Sequence, residues 1–310
     1  MDVNMTAFRM GNALRAYLAG RGAQKAVVPY LTFASAEPFT IGVYNAKKNW
    51  DGTLYYSTDT ASWNEWDGTT AIASAEHDGE QNIYMRGRNN SVIIGNSYRN
   101  AWLLTGSDIR CSGNIESLLD YSVVENGEHP LMGDYCYANM FYECDNIIEP
   151  PSLPAITLTY CCYHNMFYGC TNLQTTPELP ATEMASSCYS NMFTYCTSLT
   201  VSPKLQATAL AGYCYHMMFY GCTNLVSLPA LPATVLATGC YHGMFADCTN
   251  IKLSETQVSE YTTEYRMPTE GDGVTASYAL NSMFAGTGGT FTGTPEINTT
   301  YYLHEDNSIV

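Results

Sequence analysis

The sequence predicts a mainly β protein with short helices: an N-terminal helix, a β-sandwich, and then a solenoid of 26-residue repeats. Three observations carry that prediction. A nine-residue motif, C-Y-x-x-M-F-x-x-C, begins at Cys136, Cys162, Cys188, Cys214 and Cys240, always 26 residues apart. Short apolar and aromatic runs alternate with turn signals across residues 27–111. The first residues carry apolar side chains at helical spacing.

The repeat comes first, because a fixed period decides an architecture. The five copies read CYANMFYEC, CYHNMFYGC, CYSNMFTYC, CYHMMFYGC and CYHGMFADC. A second block recurs between them, as in TNLQTTPELPATEMASS, TSLTVSPKLQATALAGY and TNLVSLPALPATVLATG. A degenerate sixth copy, YALNSMFAG, contains Met283 and Phe284, 39 residues beyond Met244 and Phe245. Within each copy the first Cys, the Met and the second Cys stand at i, i+4 and i+8, so they share one face of a helix. The spacing therefore predicts a short helix followed by a proline-bearing extended segment. One such unit cannot enclose a core, whereas stacked units can. The predicted core is Cys136, Met140, Phe141 and Cys144; Cys162, Met166, Phe167 and Cys170; Cys188, Met192, Phe193 and Cys196; Cys214, Met218, Phe219 and Cys222; and Cys240, Met244, Phe245 and Cys248.

The segments MFYGCTNL at 166–173 and 218–225 resemble the core of BspA-like leucine-rich repeats. These occur on surface proteins of gut and oral bacteria and in phages that infect them. The resemblance spans residues 136–251. It departs from the family in the Cys that opens each copy and in the LPAT segments. It implies a leucine-rich-repeat-like solenoid without catalytic residues.

Residues 27–111 read as a β-sandwich. The runs VVPYLTF, FTIGVY, TLYYS, NIYMRG, SVIIG and AWLLT are punctuated by Asp51-Gly52, Asp67-Gly68 and Asp78-Gly79. LYYSTDTASWNEW resembles the small β-sandwich modules that precede such repeats. Residues 112–135 form a joint and N-terminal cap, and residues 252–310 form a C-terminal cap. Within that cap, SETQVSEYTTEYRMPTEGDG is expected to be an extended excursion. Residues 1–26 place Met10, Leu14, Tyr17 and Leu18 on one helical face, which suits docking to a larger assembly. Arg9, Asn12 and Arg15 interrupt any signal-peptide core, and the absence of an export signal favours a particle-borne protein over a cell-wall adhesin.

Composition restricts the partners. The 310 residues include 29 acidic and 13 basic side chains, a net charge of −16, with charged residues only 14% of the total. Such a chain repels a phosphate backbone, so nucleic acid is not expected. No apolar run is long enough to insert in a membrane. The 25 tyrosines suit a binding surface, being broad and rigid with a polar tip.

Twelve cysteines invite a disulfide or metal reading. In a helix the two sulfurs of one copy would lie about 12 Å apart along the axis, too far for a bridge. Zinc spacing is absent. The thiols read as small buried hydrophobes, which suits a reducing setting, with bridges between neighbouring copies or a metal as the alternatives. Tyr137, Tyr163, Tyr189, Tyr215 and Tyr241 form an unbroken column, read as packing between copies, with a stacking surface for glycan or protein as the alternative. Tyr142, Tyr168 and Tyr220 form a second column, broken by Thr194 and Ala246, and are the candidate contact surface with His164, His216 and His242. No catalytic motif, metal site or cofactor site stands out. The expected function is recognition of a host surface protein or glycan by a virion component, with a homo-oligomer as one arrangement left open. Its N-terminal helix would dock on other virion or surface proteins. The alternatives are a purely structural virion protein and a bacterial surface adhesin.

Overall fold

The computed structural model describes residues 28–270 and 278–310. The candidate docking residues Met10, Leu14, Tyr17 and Leu18 lie outside them. Among the described residues the protein is mostly β, with one short helix, α1 (Ser117–Glu125). The strands are β1 (Leu31–Ser35), β2 (Thr40–Val43), β3 (Thr53–Ser57), β4 (Asn64–Trp66), β5 (Ile72–Ala73), β6 (Ala75–His77), β7 (Glu80–Arg88), β8 (Trp102–Thr105), β9 (Ile109–Ser112), β10 (Ile147–Glu149), β11 (Ser227–Leu228), β12 (Lys252–Ser254), β13 (Tyr261–Arg266), β14 (Gly288–Gly289), β15 (Thr300–His304) and β16 (Ser308–Ile309).

The N-terminal strands form two sheets. One runs β10-β9-β1-β7-β3-β4, with β6 also paired to β7, and the other runs β5-β2-β8. Alternation sets the buried faces. In β1, Leu31, Phe33 and Ser35 point inward, and in β8, Trp102 and Leu104 do. Phe33 meets Trp102 at 6.0 Å, and Trp66 meets Trp102 edge-on at 5.7 Å. Asp59 closes the β3–β4 hairpin, accepting from the Ala61 and Ser62 N–H groups. The run SVIIG is not a strand. Its Ile93 and Ile94 N–H groups both donate to the Cys136 carbonyl, so this segment serves the first repeat copy instead of a ladder.

The helix expected in each copy is absent. The CYxxMFxxC segments are chains of four-residue turns, and every fourth residue is left-handed. Asn139, Asn165, Asn191, Met217, Gly243 and Ser282 hold that position in the middle of each copy, at φ between 49° and 61°. A right-handed helix cannot contain such residues. Half of the N–H groups close turns: Met140 donates to Tyr137, Tyr142 to Asn139 and Cys144 to Phe141. The alternate N–H groups leave the copy altogether. Tyr137, Asn139, Phe141 and Glu143 donate to the carbonyls of Cys162, His164, Met166 and Tyr168, and the next copy repeats the pattern with Cys188, Ser190, Met192 and Thr194. At the far end Tyr241, Gly243, Phe245 and Asp247 donate to Ala279, Asn281, Met283 and Ala285. A four-residue period keeps Cys, Met and Cys on one side as a helix would, while the backbone bonds run sideways.

Those bonds place equivalent rings face to face. Phe141, Phe167, Phe193, Phe219, Phe245 and Phe284 stand 5.4 to 5.7 Å apart with planes within 13°. Tyr137, Tyr163, Tyr189, Tyr215 and Tyr241 stand 5.6 to 5.9 Å apart. All twenty predicted core residues are buried, and none is more than 5% exposed. Cysteine has a further part in this packing. Cys170, Cys196, Cys222 and Cys248 each donate their thiol hydrogen to a Phe carbonyl 29 residues earlier, at 2.9 to 3.0 Å.

Both ends of the columns are covered. Trp102 donates its N–H to the Met140 carbonyl, and its ring stands edge-on to Phe141 at 6.3 Å. Ile115 accepts from the Tyr137 phenol, and the buried Glu116 pairs with His129. At the other end β13, β15, β12 and β14 make a four-stranded sheet. β13 falls inside the expected excursion, because Tyr261 and Tyr265 alternate inward and pair with β15. Tyr265 and Phe291 meet Phe284 edge-on, and β16 pairs with β11 in parallel.

The Phe column is expected to dominate stability. Phe193→Ala empties its middle and should cost about 3–5 kcal/mol. Denaturant unfolding checks this, and a loss under about 1 kcal/mol would contradict the packing described.

Candidate surface site

Two of the three sequence-predicted groups lie inside the protein or half inside it. The first tyrosine column, from Tyr137 to Tyr241, is at most 1% exposed and cannot touch a partner. The phenol oxygens of Tyr163, Tyr189 and Tyr241 have no hydrogen-bond partner among the described residues. The histidines are half-buried members of the stack. His216 and His242 lie face to face at 5.0 Å, and Ser190 Oγ is 3.4 Å from His216 Nδ1. Burial first, and then the neighbouring His242 and His164, push the His216 imidazole down to about 4. No group of three or more His, Cys, Asp or Glu side chains suited to a metal occurs among the described residues.

The second column is half-buried like the histidines, but exposed rings adjoin it. Tyr142 and Tyr168 are half-buried and stack at 4.8 Å with planes 6° apart. Tyr98 extends the row upstream, 5.9 Å from Tyr142, and is 52% exposed. Downstream the column reads Thr194 in sequence, yet the row of rings continues. Tyr195, the next residue, turns outward from a left-handed position and is 41% exposed. It stands perpendicular to Tyr168 at 5.7 Å and to Tyr220 at 5.3 Å. Gly221 makes this placement possible. A Cβ there would lie 2.5 Å from Tyr195 Cδ1, and its φ of 70° disfavours a side chain in any case.

Five aromatic rungs, Tyr98, Tyr142, Tyr168, Tyr195 and Tyr220, therefore follow one another along the outside of the turns. At the upstream end Tyr44, Tyr98, Leu103, Tyr142 and Glu143 line an open cleft of about 490 Å³. Tyr44 is 64% exposed and Leu103 50%. A larger cleft, about 560 Å³, lies between Cys111 and the segments Pro150–Pro154 and Pro177–Pro180. Its walls carry Glu149 and Glu178 but no aromatic ring. Sequence reasoning found Tyr142, Tyr168 and Tyr220. It missed Tyr195, which stands one residue outside the register of the column, Tyr44, in the turn after β2, and Tyr98, in the short 3-10 turn Tyr98–Asn100.

With this geometry in hand, comparison with known proteins adds no relative: no family model, no curated protein and no solved structure matches the chain. Among the described residues no helix is long and apolar enough to cross a membrane.

The site is built on inert sulfur. All twelve cysteines are free and buried. Burial pushes the Cys144 and Cys222 thiols up to about 12 and the Cys240 thiol up to about 11. A thiolate is the reactive form, so the native protein should show almost no reaction with a disulfide-exchange reagent at neutral pH. All twelve thiols should react once denaturant is added. Rapid labelling of several thiols in the native state would contradict their burial.

His216 yields a pH dependence. Its native pKa lies below the ordinary 6.5, so the unfolded chain binds the extra proton first. The stability that goes with neutral His216 is complete above about pH 6.5 and is lost as pH falls towards about 4. His216→Ser copies the residue that Ser190 supplies one copy earlier. It should flatten the fall in Tm over that window, and an unchanged slope would refute the assignment.

Proposed function

We propose that the chain is a non-catalytic recognition protein displayed on a surface, most simply a phage virion component, in which stacked leucine-rich-repeat-like copies form a solenoid that presents the tyrosine row. One observation carries this reading. The interior columns consume the Cys, Met, Phe and first Tyr of each copy, while five further tyrosines follow one another in a continuous line, Tyr98 and Tyr195 exposed and Tyr142, Tyr168 and Tyr220 half-buried between them. Aromatic side chains left outside a packed fold in a row offer contact area at low entropic cost. The cross-copy backbone bonds hold that row in place, so little ordering is needed when a partner docks.

The resemblance of MFYGCTNL to BspA-like repeats supports the surface setting and the phage or bacterial source. A purely structural decoration protein is the second reading. It needs no exposed aromatic row, and the row favours recognition. Binding through such a face depends on ring contacts more than on charge, and so should change little with salt.

The experiment separates anchoring from recognition. A chain lacking residues 1–24 should fail to join particles yet bind host cells as well as the full chain. The full chain carrying Tyr98→Ala and Tyr168→Ala should join particles but lose cell binding. Normal cell binding by that double variant would move the contact surface elsewhere. Failure of the full chain to bind any cell in a panel of gut and oral bacteria would leave the structural role.

A further inference from the structure

We infer that the tyrosine row is a binding face for an unbranched, uncharged saccharide chain, with one end of that chain seated in the cleft of Tyr44, Tyr98, Leu103, Tyr142 and Glu143. This rests on the recognition reading above and names its ligand class.

Three features select a saccharide. The first is spacing. Successive rungs stand 4.8 to 5.9 Å apart. That advance is close to the length of one pyranose ring, so each sugar meets one rung. An extended peptide presents same-side residues roughly 6.6 Å apart, from a rise of about 3.3 Å per residue, and falls out of step within a few rungs.

The second is the state of the backbone. A protein partner could add a strand only where N–H and C=O groups are unpaired. Beside the row they are occupied. Glu143, Gly169, Tyr195 and Gly221 donate to the carbonyls of Tyr168, Thr194, Tyr220 and Ala246 in the next copy. What remains for a ligand is the ring edges of the stacked Tyr142–Tyr168 pair, the exposed rings of Tyr98 and Tyr195, and phenol oxygens, which can meet the C–H groups and hydroxyl groups of a sugar.

The third is charge. Between Cys136 and Ile251 the one cationic side chain is Lys204. The carboxylates Glu143 and Asp247 stand at the two ends of the row's left-handed positions, and Asp247 lies close enough to Tyr220 to push its phenol pKa upward. Arg99, beside Tyr98, is the local exception. Uronic-acid, sialic-acid and phosphate-bearing polymers would be repelled along most of the row. In the cleft, Glu143 can accept hydrogen bonds from the hydroxyl groups of a terminal sugar.

The test uses the full chain and calorimetry. The probes are cello-, laminari-, malto-, manno- and N-acetylated chito-oligosaccharides from dimer to hexamer, with oligogalacturonate and oligosialic acid as the anionic set. At least one neutral series should bind, its affinity rising with each added unit up to the pentamer. Tyr168→Ala and Tyr195→Ala should each weaken the hexamer at least about tenfold. If either variant loses its native Tm, Tyr98→Ala replaces it, because that ring is 52% exposed. Binding of no neutral series, tighter binding of an anionic series, or affinity unmoved by natively folded ring variants would overturn the inference. Cells that the full chain binds separate the two levels of the argument. Loss of binding after periodate but not after protease supports the saccharide. The reverse pattern removes the saccharide and leaves recognition standing, whereas absence of binding to any cell removes the recognition reading itself.

Discussion

The hydrogen bond from every second backbone N–H to the next copy is the constraint on which the rest of this structure depends. A helix would have spent those donors within its own turn. Here each is spent on a neighbour 25 residues away, as from Tyr137 to Cys162 and from Phe141 to Met166. The geometry costs strain, because one residue in four must be left-handed and few of these are glycine. It is repaid by registration: once the bonds are made, every Phe must lie on a Phe and every Tyr on a Tyr. The 26-residue spacing is therefore a consequence of bonding and tolerates no drift. Within the longer interval before Met283, β13 leaves the columns and pairs with β15 instead.

Registration also decides what is left for the outside. The four-residue turn brings Cys, Met and Cys to one side and Tyr and Phe beside them, and all are consumed in the interior. The next corner is packed less uniformly: Thr194 and Ala246 are buried there, and the larger tyrosines, Tyr142, Tyr168 and Tyr220, are half-buried. Tyr195 reaches the row from the left-handed position that Gly169 and Gly221 occupy in neighbouring copies, and the missing side chain of Gly221 is what lets its ring settle. The row is thus partly packed and partly open, and the cross-copy bonds that align the interior also hold it.

The sequence allowed the interior to be read residue by residue. Period and motif together named the twenty core side chains, because burial in a repeat requires the same residue at the same place. The same motif misled about local structure. Cys136, Met140 and Cys144 at i, i+4 and i+8 fit a helical face and a four-residue turn equally well. The distinguishing signal was present in Asn139, Asn165 and Asn191, followed by Gly243, and in Gly169, Gly221 and Gly286. Residues that tolerate positive φ at every fourth position do not belong in a helix. SVIIG has strand composition, and only the Cys136 carbonyl, distant in sequence, explains why it bends. Tyr44 and Tyr98 were illegible for a similar reason: nothing local places the ring of Tyr98, in a short 3-10 turn, beside Tyr142, or Tyr44, in the turn after β2, in the same cleft.

The low charge of this chain follows from the same registration. A charge repeated at the 26-residue spacing would meet its own copy at about 5 Å, costing roughly 1 to 3 kcal/mol for each pair at dielectric constants between water and a protein surface. The sequence obeys this rule throughout 136–251. Glu143, Asp145, Glu149, Glu178, Glu183 and Asp247 have no acidic residue one period before or after them. The single charged pair in register, Glu178 and Lys204, is of opposite sign. His216 and His242 meet the rule in another way, since burial and mutual repulsion hold the His216 imidazole neutral. With charge forbidden in the columns, Thr, Ser, Asn and Tyr must supply solubility, and a neutral, hydroxyl-rich surface results. The tyrosine row is the aromatic part of that surface, so its preference for an uncharged partner begins in the hydrogen bonds that align the copies.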